Sequence, residues 1–296
     1  MKKLLNIDGG GVRVYISLLI LDYIEIKTGK KIVDIFDYFS GVSASSIILA
    51  GLLTRYSVKE ILVLFKDITS KIFYRSFAHM IISGFGILDS KYTDYYINIE
   101  LEKLFENNMI STCKKPFSIL TYDMVSSKPV TFYSYKDTEL KLWEIVRGSS
   151  AAPTYFSPYK IHEYNLIDGG VVANNLSELT FIDAVEYFGK EEDYIQVSIG
   201  TGTYNETVKT YPSGIWSWSS SIVDVFFSAN SNKEMMTLDK ISKFENLKHF
   251  HRLDIILNNI IRLDDSTSFD MMDIIVKEWL ETNTEYLNTV CEDLLK

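Results

Sequence analysis

Asp37-Tyr38-Phe39-Ser40-Gly41-Val42-Ser43-Ala44-Ser45-Ser46 reads as a buried strand that turns sharply into a helix, with a serine at the corner. A hydroxyl held between a strand end and a helix N-terminus is open to substrate, and backbone N–H groups point outward there. That geometry suits acyl transfer, so Ser43 is the first candidate nucleophile. Gly41-Val42-Ser43-Ala44-Ser45 departs from the Gly-X-Ser-X-Gly pattern at its last position, and small-residue turns also occur in α/β proteins for purely structural reasons.

A second segment, Asp8-Gly9-Gly10-Gly11-Val12-Arg13, follows the apolar run Leu4 to Ile7 and opens a helical pattern that continues to about Lys27. Three adjacent glycines leave backbone N–H groups uncovered, which suits a phosphate or the oxyanion of a tetrahedral intermediate. No Gly-Lys-Ser/Thr follows, which argues against a nucleotide P-loop. Val14 stands where the dinucleotide fingerprint needs its last glycine. An oxyanion hole is the better fit, with a plain glycine turn as the alternative. Asp8 reads as a cap on this turn, because Asp commonly accepts from N–H groups two or three residues ahead. Arg13 either holds the loop or meets an anion.

The third segment is Leu166-Ile167-Asp168-Gly169-Gly170, an acid at the end of an apolar run followed by two glycines. A serine needs a neighbour to accept its proton. The four histidines, His79, His162, His249 and His251, lack the spacing of a hydrolase triad. An aspartate can serve if burial raises its proton affinity and oxyanion donors take the developing charge. Asp168 is the candidate, and a turn-forming Asp-Gly is its structural alternative.

In the order DGGGVR, GVSAS and LIDGG, these segments resemble the patatin-like phospholipases. Trp143 to Phe156 resembles that family's helix and proline turn before the aspartate strand, and Val197-Ser198-Ile199-Gly200-Thr201-Gly202 resembles its strand after it. The resemblance covers roughly residues 1 to 205. It implies lipid acyl hydrolysis by a serine–aspartate dyad, with Ser43 as nucleophile, Asp168 as proton acceptor and Gly9, Gly10 and Gly11 as oxyanion hole. Gly41 and Ser45 belong to the elbow, and Gly169 and Gly170 to the aspartate loop. There are two departures from the family pattern, one at Ser45 and Ser46 and one at Val14. Ser45 and Ser46 occupy the places of paired glycines, as serine does two places after the nucleophile in related cytosolic phospholipases. Val14 replaces a frequent glycine and is expected inside the helix, with the special backbone angles confined to Gly9 through Gly11.

Strand-like and helical patterns alternate from Leu4 to about Gly202, which implies a three-layer α/β/α fold with a largely parallel central sheet. The expected strands are 3–8, 35–40, 117–124, 129–135, 160–167, 193–199 and 249–256. The expected helices are 12–28, 44–54, 57–73, 94–107, 139–148, 177–188, 221–243 and 270–295. At 296 residues and 47% apolar content, with only five prolines and no linker-like tract, the chain is expected to form a single domain. Residues 1–210 are its catalytic core and 211–296 an extension packed on the same domain.

A formal net charge of −9 and only short basic clusters exclude a nucleic-acid footprint. No stretch reaches the roughly 18 apolar residues of a membrane span. Without a secretory core at its start, and with only Cys113 and Cys291, the chain is expected to act in the cytoplasm. The apolar run Met80–Leu88 and Ile215-Trp216-Ser217-Trp218 are candidates for transient contact with a membrane surface. His249-Phe250-His251 places two imidazoles on one face of a strand but lacks a third ligand nearby, so neither metal nor cofactor is expected. The expected function is hydrolysis of fatty-acyl esters of phospholipids or related lipids, with an activating protein as a further candidate partner. A non-catalytic lipid-binding protein and an esterase or thioesterase of soluble substrates are the alternatives.

Overall fold

Lys2–Ile7 forms strand β1, whose apolar residues are buried on both faces, as expected for a strand at the centre of a covered parallel sheet. The computed structural model describes residues 1–75, 79, 83, 89–204 and 246–296. After β1, a short 3-10 turn at Gly11–Arg13 leads into α1 (Val14–Thr28), which ends at Gly29 in the left-handed region at φ 67. The single turn α2 (Ile32–Ile35) precedes β2 (Tyr38–Val42), α3 (Ala44–Thr54) and α4 (Val58–Ile72). A Ser57/Glu60 capping box starts α4, and its buried Val58, Ile61, Phe65, Ile68 and Ile72 form one helical stripe.

Further along lie α5 (Asp94–Phe105), the hairpin β3 (Phe117–Asp123) and β4 (Lys128–Tyr133), and α6 (Leu142–Ser149). A second hairpin, β5 (Tyr159–Ile161) and β6 (Tyr164–Asp168), is followed by α7 (Ser177–Phe188) and β7 (Tyr194–Ile199). Short β8 (Thr203–Tyr204) pairs with β10 (Ile256–Leu257), while β9 (Leu247–Leu253) joins the main sheet. Helices α8 (Phe269–Thr282) and α9 (Thr284–Leu295) complete the described chain.

The main sheet runs β5-β6-β3-β2-β1-β7-β9, with β4 on β3. Strands β3, β2, β1, β7 and β9 are parallel, and the two hairpins add antiparallel pairing at one side. Leu5, Ile7, Phe39, Val197 and Leu253 face a large core shared with α1, α3, α4, α5, α6 and α8. Leu4, Tyr38, Tyr194 and Leu247 face the other way, under Phe181 and Ala184 of α7. The result is three α/β/α layers with a largely parallel sheet.

Several element boundaries differ from the sequence expectation. Residues 160–167 form a hairpin, because the chain reverses at His162, a non-glycine residue at φ 48. Residues 35–37 belong to a helical turn and its exit rather than to a strand. The expected helix 270–295 is two helices divided at Asn283, whose side chain caps Trp279 O. The expected helix 221–243 lies outside the described residues, as do Ile215–Trp218 and, except for Ser83, Met80–Leu88.

Asp8 at the exit of β1 is held from across the sheet. Arg252 of β9 donates to Asp8 Oδ1 and Oδ2 at 2.8 and 2.6 Å, and also to Ser198 Oγ and Asp254 Oδ2. Both partners are largely buried, with side-chain exposures of 15% and 4%. Removing one partner of such a pair leaves an uncompensated buried charge. Arg252→Met should lower the unfolding free energy by about 3–5 kcal/mol in urea denaturation. Adding Asp8→Asn should recover part of that loss, so a double variant as unstable as the sum of the singles would contradict the coupling.

Candidate active site

Pairing on β3 brings the two ends of the site together. Strand β2 pairs with Phe117–Leu120 of β3 and ends at Val42 opposite Leu120. Strand β6 pairs with Thr121–Asp123 in the opposite direction and ends at Asp168 opposite Thr121. Because β4 pairs with Ser118–Asp123, overlapping both, β2 and β6 must share the other edge of β3. Ser43, one residue past Val42, therefore meets Asp168 where the two strands abut.

Ser43 adopts φ 56 and ψ −138, a backbone state that costs a non-glycine residue about 1–3 kcal/mol. Its surroundings hold it there. Its N–H donates to Ser149 Oγ at 3.0 Å, and Ser149 in turn donates to Leu120 O at 2.7 Å. The Ser45 hydroxyl accepts from Val42 N at 3.0 Å and lies 2.8 and 2.7 Å from the carbonyls of Ile7 and Val42. Ser46 Oγ donates to Ser43 O at 2.6 Å. Both serines are fully buried, so where the family pattern has glycines this chain has polar clamps that tie the elbow to itself and to β1. Gly41 stays small for a steric reason, since a Cβ there would lie 3.0 Å from Ser46 Cα.

Asp168 is fully buried. Its Oδ1 accepts from Gly170 N at 2.8 Å, while Oδ2 has no hydrogen-bond partner among the described residues. Burial pushes its pKa up to about 7, against smaller lowering effects from the Ser43 hydroxyl and the Gly170 N–H. The Ser43 hydroxyl thus lies close enough to the Asp168 carboxyl to influence its protonation. Gly169 permits this turn, because a Cβ there would fall 2.4 Å from Leu120 O.

The glycine loop lies against the elbow, with a Cβ at Gly9 falling 3.1 Å from Ser43 Cβ. Gly9 N–H donates to Asn174 O at 3.1 Å, so that amide is engaged within the chain. The Gly9 carbonyl accepts from Asn174 Nδ2 and Thr201 Oγ1, both at 3.0 Å. In a trans peptide the N–H points opposite the C=O, so these two bonds fix the direction of Gly10 N–H. Gly10 O accepts from Arg13 N at 3.0 Å, which fixes Gly11 N–H in the same way. Only Gly11 of the three has a positive φ in the left-handed region, at 55, and Val14 is helical at φ −59. Leu263 O accepts from Val12 N at 2.8 Å and backs the loop. Arg13 is buried with its guanidinium 5.2 Å from the Tyr204 ring centroid.

From Ser43 and Gly11 a narrow cavity of about 50 Å³ runs between α3 and α4. Its walls include Ile47, Phe65, Ile68, Ile72, Phe73 and Phe156. Ser150 also lines it, and its hydroxyl is buried without a partner among the described residues. Asn174, Thr201, Ser149, Arg252 and Leu263 carry no catalytic group and were not singled out from sequence. Thr201 and Ser149 did fall inside quoted motifs, which is the one signal that pointed toward them. Asp8, expected to cap the loop, has its carboxylate engaged by Arg252.

A sequence profile described as patatin-like phospholipase matches residues 5–180, more than half of the chain. Patatin-like protein 4 of Arabidopsis thaliana is 27% identical over 341 residues, covering 96% of this chain and 84% of the relative. Patatin group M-1 of Solanum tuberosum is 27% identical over 339 residues, covering 100% and 84%. A protein from the same plant named probable inactive patatin-3-Kuras 1 is 25% identical over 347 residues, covering 100% and 87%. Among solved structures, VipD from Legionella pneumophila aligns with a TM-score of 0.42 at 13% identity, covering 94% of this chain and 67% of VipD. The type III effector ExoU aligns with a TM-score of 0.45 at 11% identity, covering 97% and 53%.

The raised pKa of Asp168 has a consequence for stability. An aspartate near 3.8 when unfolded and about 7 when folded binds more protons in the folded state between those values. Stability is therefore lost as pH rises from about 4 to 7, by about 4 kcal/mol at full ionisation. Asp168→Asn should match wild type below about pH 4 and be more stable by a few kcal/mol at pH 8, measured by urea denaturation. Equal stability of the two at pH 8 would contradict the raised pKa.

Proposed function

The chain belongs to the patatin-like phospholipase family, and from that premise we propose that it is a lipid acyl hydrolase working through Ser43 and Asp168. The observation that carries the reading is the Asp168 carboxyl itself. It is fully buried, its Oδ2 is unpartnered among the described residues, and it lies beside a serine held in a strained elbow at the mouth of an apolar cavity.

Ser43 Oγ attacks the ester carbonyl carbon as its proton passes to Asp168 Oδ2. The negative charge that develops on the carbonyl oxygen is received by the N–H groups of Gly10 and Gly11, and the N-terminus of α3 adds a favourable dipole. Gly9 contributes the close approach of the loop, since its own N–H is engaged by Asn174. Collapse of the tetrahedral intermediate breaks the bond to the alcohol, which takes the proton back from Asp168. Water then attacks the acyl-serine, giving its proton to Asp168, and the second collapse returns that proton to Ser43 Oγ with release of the fatty acid. A carboxyl with a pKa near 7 is suited to both directions of transfer near neutral pH. No step calls for a metal or cofactor.

The apolar walls support a fatty-acyl chain as the group that enters the cavity, and phospholipids or related lipids as the substrate class. Fatty-acid release from mixed phospholipid micelles, with and without cell extract, tests the assignment. Wild type should release fatty acid, and Ser43→Ala should fall by at least about 10³-fold. Release only with extract would indicate an activating protein, whereas release that persists in Ser43→Ala would refute the nucleophile.

Chain-length preference tests the cavity separately. Ile68→Trp should reduce kcat/KM for long-chain acyl esters by about tenfold or more, because even single methylenes are discriminated at about 10-fold or above in tight apolar pockets. Hydrolysis of acetyl esters should be retained. An equal loss on both substrates would remove Ile68 from the acyl path.

A further inference from the structure

The pair His249 and His251 lies on one face of β9, at the edge of the sheet and apart from the catalytic site. Sequence spacing alone supplied no third ligand. The fold supplies one, because α9 packs beside this edge and directs Asp293 between the two rings. His251 Nε2 is 2.9 Å from Asp293 Oδ2, and His249 Nδ1 is 3.4 Å from the same oxygen. The two imidazoles are parallel to within 5°, with centroids 6.0 Å apart. All three ligand atoms lie within 4.8 Å of one another.

We propose that His249, His251 and Asp293 form a binding site for a divalent transition metal of the zinc class, joining the sheet edge to the last described helix. Bonds of 2.0–2.1 Å in a tetrahedral zinc site set adjacent ligand atoms about 3.3 Å apart. The distances of 2.9 and 3.4 Å to Asp293 bracket that value, and the two ring nitrogens, within 4.8 Å of each other, reach it when the exposed His249 ring turns toward the ion. Both imidazoles converge on one carboxylate oxygen, so the three side chains present two nitrogens and one oxygen to a shared point.

Two imidazole nitrogens and one carboxylate oxygen favour zinc or a related metal over calcium or magnesium, which take all-oxygen sites. Lys296 Nζ donates to Asp293 Oδ1 at 2.7 Å, orienting the carboxylate and leaving Oδ2 for the metal. His251 and Asp293 are buried at 8% and 4% side-chain exposure, whereas His249 is 45% exposed. That contrast gives the metal a route in and leaves a fourth position open to water. The residue after His251 is Arg252, which grips Asp8 at the base of the glycine loop, so a metal here fastens the same strand that anchors that loop.

The test is a zinc titration of the chelator-treated full chain, in competition with a chromophoric chelator, beside His249→Ala. His249 is half exposed on an edge strand, so its replacement should preserve the fold, which circular dichroism checks. Wild type should bind one zinc per chain. His249→Ala should bind more than about 10-fold more weakly, since even the outer partners of metal ligands are worth about 10- to 100-fold. Zinc should raise the thermal midpoint of wild type and not that of the variant. Cobalt bound to wild type should show the visible absorption of a tetrahedral site. Absence of stoichiometric binding, or equal binding by His249→Ala, would overturn the proposal, and neither result bears on the ester chemistry at Ser43.

Discussion

One edge of strand β3 governs the geometry of the site. Up to Leu120 that edge is occupied by β2 running parallel, and from Thr121 onward by β6 running antiparallel. Two chain segments more than a hundred residues apart are thus obliged to end against adjacent residues. Sheet registers are stiff because a slip of one residue sends every side chain to the opposite face. A slip in β6 would turn Asp168 away from Ser43. The hydrogen bonds of β3 therefore position the proposed proton acceptor as surely as any side-chain contact. The antiparallel hairpins at this side of an otherwise parallel sheet have a clear use, since they allow a strand to reach the elbow from the opposite direction.

Around that junction, peptide planes rather than side chains are what the structure fixes most firmly. Asn174 and Thr201 hold the Gly9 carbonyl, Arg13 holds that of Gly10, and the trans geometry of the peptide then aims the two amides. Ser45 and Ser149 hold the strained corner. Preorganised dipoles of this kind need no reorientation when charge develops, which is the usual source of oxyanion stabilisation. Burial of Asp168 works against stability as pH rises and in favour of proton transfer. In the proposed mechanism, a less stable fold accompanies a carboxyl matched to neutral pH.

The segments that would bear the proposed chemistry stand out in the sequence because each combines a strand end with small residues, a pattern that local sterics alone impose. Val14 was readable for the same reason, as a β-branched residue that belongs in the helix. The alternation of strands and helices gave the layered architecture. What could not be read depended on contacts between distant segments. The reversal at His162 carries no glycine or proline to mark it, so β5 and β6 looked like one strand. Asn283 divides the last helices by a side-chain cap that periodicity does not reveal. Arg252 reaches Asp8 across 244 positions, and Asp293 reaches His251 across 42, so neither partnership has a local signature. The engagement of Gly9 N–H by Asn174 likewise follows from tertiary placement, and it separates one glycine of the loop from the two assigned to the proposed oxyanion hole.

In the proposed mechanism Ser43 is an activated nucleophile beside a formed oxyanion hole. Reaction of the purified chain with a long-chain alkyl fluorophosphonate, followed by peptide mass spectrometry, tests it most directly, because such a probe needs both features and no turnover of lipid. The account requires a single adduct on Ser43 that forms readily at pH 8, slows as pH falls through about 7, and is nearly lost in Asp168→Asn. An unmodified folded chain, or an adduct on another serine, would contradict it.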